Sequence, residues 1–217
     1  MNRFITVKGI GKVCAKPDLI ELELNLPRKN MDYNKTMKAS TEAIIILQEA
    51  VMSLGFEKKD LKTRDFSVKT SYKSVQDSRI NYKKVFDGFV CTHSLKLEFD
   101  FDMKKLSDVL STFAECPAKP EFSVNFSIKD KDAVSEALLV NASQSAKEKA
   151  EILAKASGVT LGQIITIDYN WGELHLYSPT NFAIFNENTH QGGRMSMDME
   201  PDDIDVSDAV TFVWSID

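Results

Sequence analysis

Residues 17–55 read PDLIELELNLPRKNMDYNKTMKASTEAIIILQEAVMSLG and contain two different hydrophobic periods. In the first part apolar and polar residues alternate, which is typical of a strand with one face against a core. The apolar positions of this strand are Ile20, Leu22, Leu24 and Leu26. From residue 32 the apolar spacing becomes three and four residues, which is the stripe of an amphipathic helix. The stripe consists of Met37, Ser40, Ile44, Leu47, Val51 and Leu54.

Two residues set the limits of this helix, which we predict over residues 32–54. Asp32 fits the N-cap, because its carboxylate can accept a hydrogen bond from a free N–H group of the first turn. Gly55 fits the position beyond the C-terminus, where a residue without Cβ adopts the left-handed backbone at no steric cost. A strand, a helix and a terminating glycine therefore follow one another directly.

A strand–helix–glycine order of the same length recurs later in the chain. Pro17 precedes the first set and Gly55 ends it, whereas Pro120 precedes the second set and Gly158 ends it; both spans measure 38 residues. The second helix, predicted over residues 132–157, is rich in alanine, so it can lie close to a sheet or to another helix. Because further strands follow each glycine, we interpret the sequence as an internal repeat.

The repeat predicts an α+β fold class, in which two β-α-β-β units form antiparallel sheet packed against helices. The units cover approximately residues 17–100 and 120–217. An extra N-terminal strand over residues 4–13 precedes them, and a short connecting helix over residues 102–114 links them. We expect the whole chain, residues 1–217, to form a single domain whose open sheet edges favour assembly of several copies.

The charge balance disfavours two classes of partner. Lys and Arg number 27 against 32 Asp and Glu, which gives a net charge of −5. We therefore expect neither a nucleic-acid backbone nor an anionic lipid surface as the main partner. The sequence contains no apolar run of 18 residues, so we also expect no membrane span.

The cysteines bear on the cellular location. Cys14, Cys91 and Cys116 form no close pair, and an odd number cannot all pair within one chain. Unpaired cysteines are typical of a reducing compartment, and charge returns at Lys12 before an apolar leader segment can form. The chain as written is therefore expected to be cytoplasmic; if a leader was removed, the expectation becomes periplasmic or exported.

Several short motifs occur in an order that resembles one known family. The chain opens with Ile5-x-Val7-x-Gly9-x-Gly11-x-Val13 followed by Pro17-Asp18. Later matches are Leu54-Gly55, Asp60-Leu61-x-Thr63, Phe66-x-Val68-x-x-x-Tyr72, Gly88-Phe89 and the spacing of Ala142, Ala146, Lys149-Ala150, Leu153-Ala154 and Gly158. Together they resemble the SIMPL-domain family, also called DUF541, over nearly the whole chain.

The resemblance implies an α+β fold with β-α-β-β units. It also implies large ring-like or channel-like homo-oligomers in some members and, in a eukaryotic member, a signalling adaptor. The family has no agreed activity or catalytic set, so no active site is carried over. Thr70 stands where the family often has proline, Asp202-Asp203 replaces a glycine-containing approach to the last strand, and the export signal of many bacterial members is missing.

The candidate chemical sites are few. Gly9-x-Gly11 begins like a dinucleotide fingerprint, but Cys14 replaces the third glycine and a strand follows, so we expect no cofactor and a close backbone approach instead. Cys91 and His93 share one strand face, as two metal ligands would, although that face is otherwise apolar and core packing is favoured. The acidic run is Asp198, Glu200, Asp202, Asp203, Asp205 and Asp208. It fails the EF-hand calcium pattern at loop positions six and twelve, which favours a solvated loop.

The segment over residues 172–200 is long for a loop within a compact domain. Its apolar residues are Leu174, Leu176, Tyr177, Phe182, Ile184 and Phe185. A monomer rarely exposes such a patch, so we predict that a neighbouring subunit covers it. The candidate oligomer contacts are Tyr177, Phe182, Ile184 and Phe185.

These observations predict a non-enzymatic protein, without catalytic residues or cofactor, that acts through homo-oligomeric assembly or as a scaffold or adaptor. The alternative is a small-molecule or metal-binding protein, or an enzyme, with a pocket between sheet and helices or between subunits. Cys91 and His93 would be the participants in that case.

Overall fold

The computed structural model describes residues 3–76, 82–169, 172, 174–180, 182–184 and 200–217, with residues 182–184 described by their backbone. Within these ranges the elements are β1 (Phe4–Ala15), β2 (Leu19–Asn30), α1 (Tyr33–Ser53), a 3-10 turn (Lys58–Asp60), β3 (Lys62–Gln76), β4 (Tyr82–Asp100), α2 (Met103–Glu115), β5 (Glu121–Ser127), α3 (Lys131–Ala156), β6 (Leu161–Asp168), β7 (Phe182–Ile184) and β8 (Ile204–Ile216). The chain divides into two compact units. Unit 1 comprises Met1–Asp18, Ser127–Pro179 and Pro201–Asp217, and unit 2 comprises Leu19–Phe126 and Thr180–Glu200.

Unit 2 is built on an antiparallel sheet whose described strands run in the order β3-β4-β2-β5-β7. The alternation on β2 places Leu22 and Leu24 in a fully buried core with residues of α1 and α2. α1 begins as predicted, because the Asp32 carboxylate accepts a hydrogen bond from the Lys35 N–H at 2.9 Å. It also ends as predicted, before Gly55 with φ of 85°.

Unit 1 contains a smaller sheet, with the described strands in the order β1-β8-β6. β1 and β8 pair in unbroken antiparallel register from Phe4 opposite Ser215 to Ala15 opposite Ile204. α3 packs on these two strands through its alanines. The rings of Phe212 and Trp214 complete this core, with centroids 5.1 Å apart.

The contact between α3 and β1 depends on two glycines. A Cβ on Gly9 would lie 1.9 Å from the Ala142 carbonyl oxygen, and a Cβ on Gly11 would lie 2.0 Å from that of Leu138. No other residue fits here without moving the helix backbone. The close backbone approach expected from these glycines and from the alanine-rich helix is confirmed.

The α+β fold class is confirmed, and the predicted elements have counterparts within a few residues. The two repeat halves correspond to β2-α1-β3-β4 and β5-α3-β6-β8. β5, the first strand of the second half, joins the unit 2 sheet, and the extra N-terminal strand β1 takes its place beside β8. Part of the segment expected to be a loop forms β7, which pairs with β5. The single-domain assignment stays a prediction.

Candidate functional site

β1 forms one edge of the unit 1 sheet, and α3 covers it. The Asn141 side chain donates a hydrogen bond to the Lys12 carbonyl at 3.0 Å, and the Lys149 ammonium donates one to the Lys8 carbonyl at 3.2 Å. Such edge carbonyls are the groups that an added strand would bind. Helix α3 therefore protects β1 against pairing with another chain.

The edges of the unit 2 sheet are protected in other ways. β3 exposes Lys62, Lys69 and Lys73, and its pairing with β4 has two irregularities. Lysines and bulges both oppose strand addition. At the opposite edge, the described part of β7 covers three residues, Phe182–Ile184, and these offer few hydrogen bonds to a partner.

β6 is the remaining edge, and it differs from the others. Ile164, Ile165 and Ile167 are 53%, 56% and 57% exposed. Asp168, at the end of the strand, is its one charged residue. The pairing of β6 with β8 is irregular near Ile164, but within the described residues β6 has neither a covering helix nor a lysine. Among the residues that the structure describes, it is an apolar edge strand that no element covers.

A groove of about 800 Å³ adjoins β6 in unit 1. Its apolar lining is formed by Leu139, Leu161, Ile164, Phe212 and Trp214. α3 covers β1 and β8 and stops short of the edge strand, so the groove follows the side of the helix. Asn141, Ser143, Gln144 and Lys147 form the polar border on the helix side. The edge and the groove together form one apolar surface, which we call the β6 surface.

Cys91 and His93 form hydrogen bonds with different residues and do not act as a pair. The Cys91 thiol is fully buried and donates a hydrogen bond to the Ser40 hydroxyl of α1 at 3.3 Å. The His93 ring bonds through Nε2 to Thr63 Oγ1 at 2.8 Å and packs edge-on against Phe66. Burial lowers the pKa of His93, which favours the neutral ring. Among the described residues, no group of three or more His, Cys, Asp or Glu side chains forms a metal site.

A charged network lies on the sheet face of unit 2 opposite Leu22 and Leu24. Glu21, only 1% exposed, contacts Arg64 at 3.3 Å and Lys96 at 3.6 Å, and Lys96 also binds Glu98 at 2.5 Å. Burial and the hydrogen bond to Glu98 raise the pKa of Glu21. Burial opposes ionisation of Glu98 too, but the hydrogen bonds from Lys96 and Glu21 lower its pKa. Of the two carboxyl groups, Glu21 is therefore the more readily protonated, and its burial closes it to substrates.

A shallow cleft of about 550 Å³ surrounds Cys14 in unit 1, lined also by Lys12, Val13, Asp205, Val206 and Ser207. Cys14 is the one exposed cysteine of the three. Its Sγ lies 3.7 Å from an oxygen of Asp203. The hydrogen bond to Asp205, with the nearby carboxylates, raises the Cys14 pKa to about 11. Since the thiolate is the reactive form, Cys14 is a poor nucleophile at neutral pH.

Comparison with known proteins identifies the family. The model of the SIMPL family, described as a protein of unknown function (DUF541), matches residues 5–214. This chain belongs to the SIMPL family. Two curated relatives are each called a 26 kDa periplasmic immunogenic protein, one from Brucella melitensis biotype 1 and one from Brucella abortus strain S19. Each is 25% identical over 163 residues, which is 75% of this chain and 65% of the relative.

The predicted oligomer contacts of this SIMPL protein lie on different parts of the segment. Tyr177 is 37% exposed, forms a backbone bridge with Ser127, and has the Lys131 ammonium 5.2 Å from its ring centroid. Phe182 and Ile184 belong to β7 by their backbone, and Phe185 lies outside the described residues. Their role as contacts stays a prediction.

The β6 surface was not predicted as a site. The sequence pattern of β6 is that of an ordinary strand with an apolar face, and such a face is expected to be buried in a core. The sequence does show that residues 161–167 contain no charged residue. This indicates an unprotected edge only once β6 is known to lie at the edge of the sheet. None of the described helices is long and apolar enough to cross a membrane.

Proposed function

We propose that this SIMPL protein is a non-enzymatic structural module that associates with copies of itself through β6. The observation that carries the proposal is the exposure of three isoleucines on an edge strand without charge protection. Of the other described edges, β1 is covered by a helix and β3 carries lysines. A chain that protects these edges and leaves β6 apolar has a surface suited to strand addition.

Pairing of two β6 strands would continue the unit 1 sheet across a twofold axis, because an antiparallel strand pair is self-complementary. The isoleucines would lose their remaining water contact. Complete burial of such a side chain contributes about 1.5–3 kcal/mol, and these residues are already almost half buried, so each adds about half of that. Burial of six isoleucines from two copies therefore contributes a substantial part of the binding free energy that a stable dimer needs.

The non-enzymatic part of the proposal has its own support. The high pKa of Cys14 keeps its thiol protonated, and Cys91 is buried against Ser40. Glu21 and Glu98, the paired carboxyl groups, are engaged by Arg64 and Lys96. Each of these groups with catalytic potential is thus held by neighbours that oppose reaction with a substrate.

A lysine at Ile165 tests the association. Ile165→Lys places a charge on the edge, and in a symmetric pair two such charges approach each other, so we expect the dissociation constant to rise at least about tenfold. Sedimentation velocity over a concentration series measures this. Ile45→Lys is the matched control, because Ile45 is 48% exposed but lies on the helix α1 and not on a strand. An Ile165→Lys variant that associates like wild type overturns the proposal.

The groove beside β6 favours a second candidate function, the binding of a small apolar molecule between sheet and helix. Its volume is within the range of ligand pockets, roughly 300–1,000 Å³, and the ring of Trp214 lines it. Ser143→Trp would fill the groove from the helix side. Native mass spectrometry of wild-type protein that retains a small molecule, and of the variant without it, would support this candidate over self-association.

For location, we propose a site outside the cytoplasm. The cytoplasmic expectation from the cysteines gains no support from the relatives, whose printed name places them in the periplasm. Fractionation of cells that express the complete native gene is the test. Recovery with cytoplasmic markers would overturn this part of the proposal.

A further inference from the structure

The floor of the groove beside β6 is a sheet face that α3 covers only in part. Phe212 and Trp214 of β8 pack with the alanines of α3 in the unit 1 core. Ile167 lies opposite Phe212 and Ile164 lies opposite Trp214, and directly opposite residues of neighbouring strands share a face. The two isoleucines therefore continue this face beyond the helix, where they are 57% and 53% exposed. From Leu161 to Ile167 the floor extends about 20 Å at about 3.3 Å per residue.

The wall of the groove is one side of α3, and its polarity changes along the helix. Leu139, Ser143 and Lys147 are four residues apart, so they lie in one row on the helix surface, and all three line the groove. Val140 and Gln144 form the adjacent row. Leu139 and Lys147 are about 12 Å apart along the helix axis, at about 1.5 Å per residue. The wall therefore has an apolar end at Leu139 and a cationic end at Lys147.

Lys147 gives the groove a positive charge in a chain whose net charge is −5. The described lining contains no Asp, no Glu and no second charged residue. Lys147 is exposed, and among the described residues no carboxylate lies within 4 Å of its ammonium. Glu148, the next residue, accepts a hydrogen bond from the Gln144 side chain at 2.8 Å instead. An anionic group at this end of the groove therefore meets a cation without displacing an existing ion pair.

The floor and the wall together indicate the class of ligand. A long apolar floor suits an unbranched aliphatic chain, because the methylene groups of such a chain lose water contact one after another along the groove. A single ammonium at one end suits a single acidic head group. The volume of about 800 Å³ lies within the roughly 300–1,000 Å³ of pockets that bind small molecules. A molecule that has both features is a fatty acid.

We propose that the groove binds an unbranched fatty acid, with the aliphatic chain along Ile164, Phe212 and Trp214 and the carboxylate beside Lys147. The proposal rests on the groove-binding candidate function described above and names its ligand. All the residues that it uses belong to unit 1 of one copy. Binding therefore needs no second copy and does not depend on β6 pairing.

The charge of the head group is the first test. Dodecanoate and dodecyltrimethylammonium carry the same aliphatic chain with opposite charges, and isothermal titration calorimetry below their micelle concentrations measures the binding of each. We expect wild-type protein to bind dodecanoate about fivefold more tightly, because an exposed ion pair contributes modestly and a like-charge contact costs a similar amount. Lys147→Glu should reverse this preference, since the exposed side chain can be replaced without disturbing the core.

Lys155→Glu is the control of equal charge change. Lys155 is exposed on α3, does not line the groove, and lies about 12 Å from Lys147 along the helix axis. Because charges more than about 10 Å apart are largely screened in about 0.1 M salt, this variant should keep the wild-type preference. Equal binding of the two amphiphiles by wild type, or the same preference in Lys147→Glu and wild type, overturns the proposal. The groove then remains a candidate site for an uncharged apolar molecule.

The length of the aliphatic chain is the second test, and it uses wild-type protein. We expect decanoate to bind about fourfold more weakly than dodecanoate, because two methylene groups are missing and each would be about half buried in an open groove. The same calorimetric titration measures both acids. An affinity that does not change with chain length contradicts the proposal, since it would leave the apolar floor without a role.

Filling the groove is the third test. Ser143→Trp should lose dodecanoate binding, because the indole occupies the groove from the helix side. Ile152→Trp is the matched control, because Ile152 is 66% exposed on the same helix and does not line the groove. Far-UV circular dichroism checks that both variants fold. If Ser143→Trp binds dodecanoate like wild type but changes the sedimentation profile, the groove is a contact with another copy and the proposal is wrong.

This proposal and β6 pairing fail separately. Ile165 does not line the groove, so Ile165→Lys should bind dodecanoate at least as tightly as wild type even when its association is lost. Loss of both properties in this variant would mean that the ligand site needs two copies, which overturns the proposal. Binding of wild type to anionic vesicles but not to monomeric dodecanoate also overturns it. If wild type binds neither amphiphile, the groove-binding candidate fails as well, whereas sedimentation of Ile165→Lys still decides β6 pairing.

Discussion

β3 and β6 lie at free edges of the two sheets, and their surfaces differ in charge and apolar exposure. β3 presents Lys62, Lys69 and Lys73 along its length. β6 presents three isoleucines, each more than half exposed, and one terminal aspartate. Since every edge strand has free hydrogen-bonding groups, side chains decide whether another strand can approach. The comparison contrasts an edge whose charges oppose strand addition with an edge that, among the described residues, has no such charges along most of its length.

The largest effect on stability and association is expected at β1, an edge strand that is protected by the helix α3. In Gly9→Ala the new Cβ would lie 1.9 Å from the Ala142 carbonyl oxygen, so the helix must move. We expect a loss of about 3 kcal/mol of unfolding free energy and an increase in association, because the edge of β1 becomes accessible. Urea unfolding and light scattering measure the two effects.

Gly172→Ala is the control for this variant, because a Cβ at Gly172 meets no described atom within 4 Å. If Gly9→Ala and Gly172→Ala prove equally stable, the close helix contact does not hold α3 over β1.

An intermediate effect is expected when β3 is made to resemble β6. Lys69→Val with Lys73→Val removes two charges from an exposed strand, so the unfolding free energy should change by less than about 0.5 kcal/mol. Self-association should nevertheless increase, because the repulsion between approaching edges is reduced. Lys69→Arg with Lys73→Arg keeps the charge and serves as the control. No difference in light scattering between the two variants would show that lysines do not protect β3.

The smallest effect is expected in the pH dependence of stability, through His93 of β4 and its contact with Thr63 of β3. Burial lowers the His93 pKa below its ordinary value of 6.5, so the unfolded chain binds a proton more readily than the folded one. Stability is therefore complete above pH 6.5 and decreases as pH falls through 6.5 towards the folded-state pKa. Protonation would also disturb the Thr63 contact. We expect thermal unfolding of His93→Gln to lose part of this acid sensitivity between about pH 7.5 and 5.5.

Wild-type protein provides the reference for this measurement. An identical pH dependence in wild type and His93→Gln would mean that other groups, such as Glu21 and Glu98, control the acid response.

Local structure could be predicted well from the sequence. Alternation located β2 and β8, and the cap at Asp32 and the glycine at Gly55 located α1, because these signals act between residues near in sequence. The glycines of β1 also predicted close backbone contact correctly. Each of these inferences needed no knowledge of the neighbouring strand.

The order of the strands could not be predicted in the same way, and the candidate site depends on it. The apolar pattern of Ile164 and Ile167 is the same whether β6 is central or at an edge. Its exposure arises because α3 covers β1 and β8 and no described element covers β6, which is a non-local result. The sequence instead favours the segment with Tyr177 as an oligomer contact, because the length of a loop and its aromatic residues can be recognised without knowledge of the fold.

The pairing of β1 with β8 has a consequence for the order of folding. Phe4 lies opposite Ser215, so the unit 1 sheet joins strands that are far apart in sequence. The strands β2 to β5 lie within Leu19–Phe126 and pair within one continuous stretch of chain. Contacts of long sequence separation form slowly. We therefore expect β2 to β5 to gain protection from hydrogen exchange during refolding before β1 and β8 do.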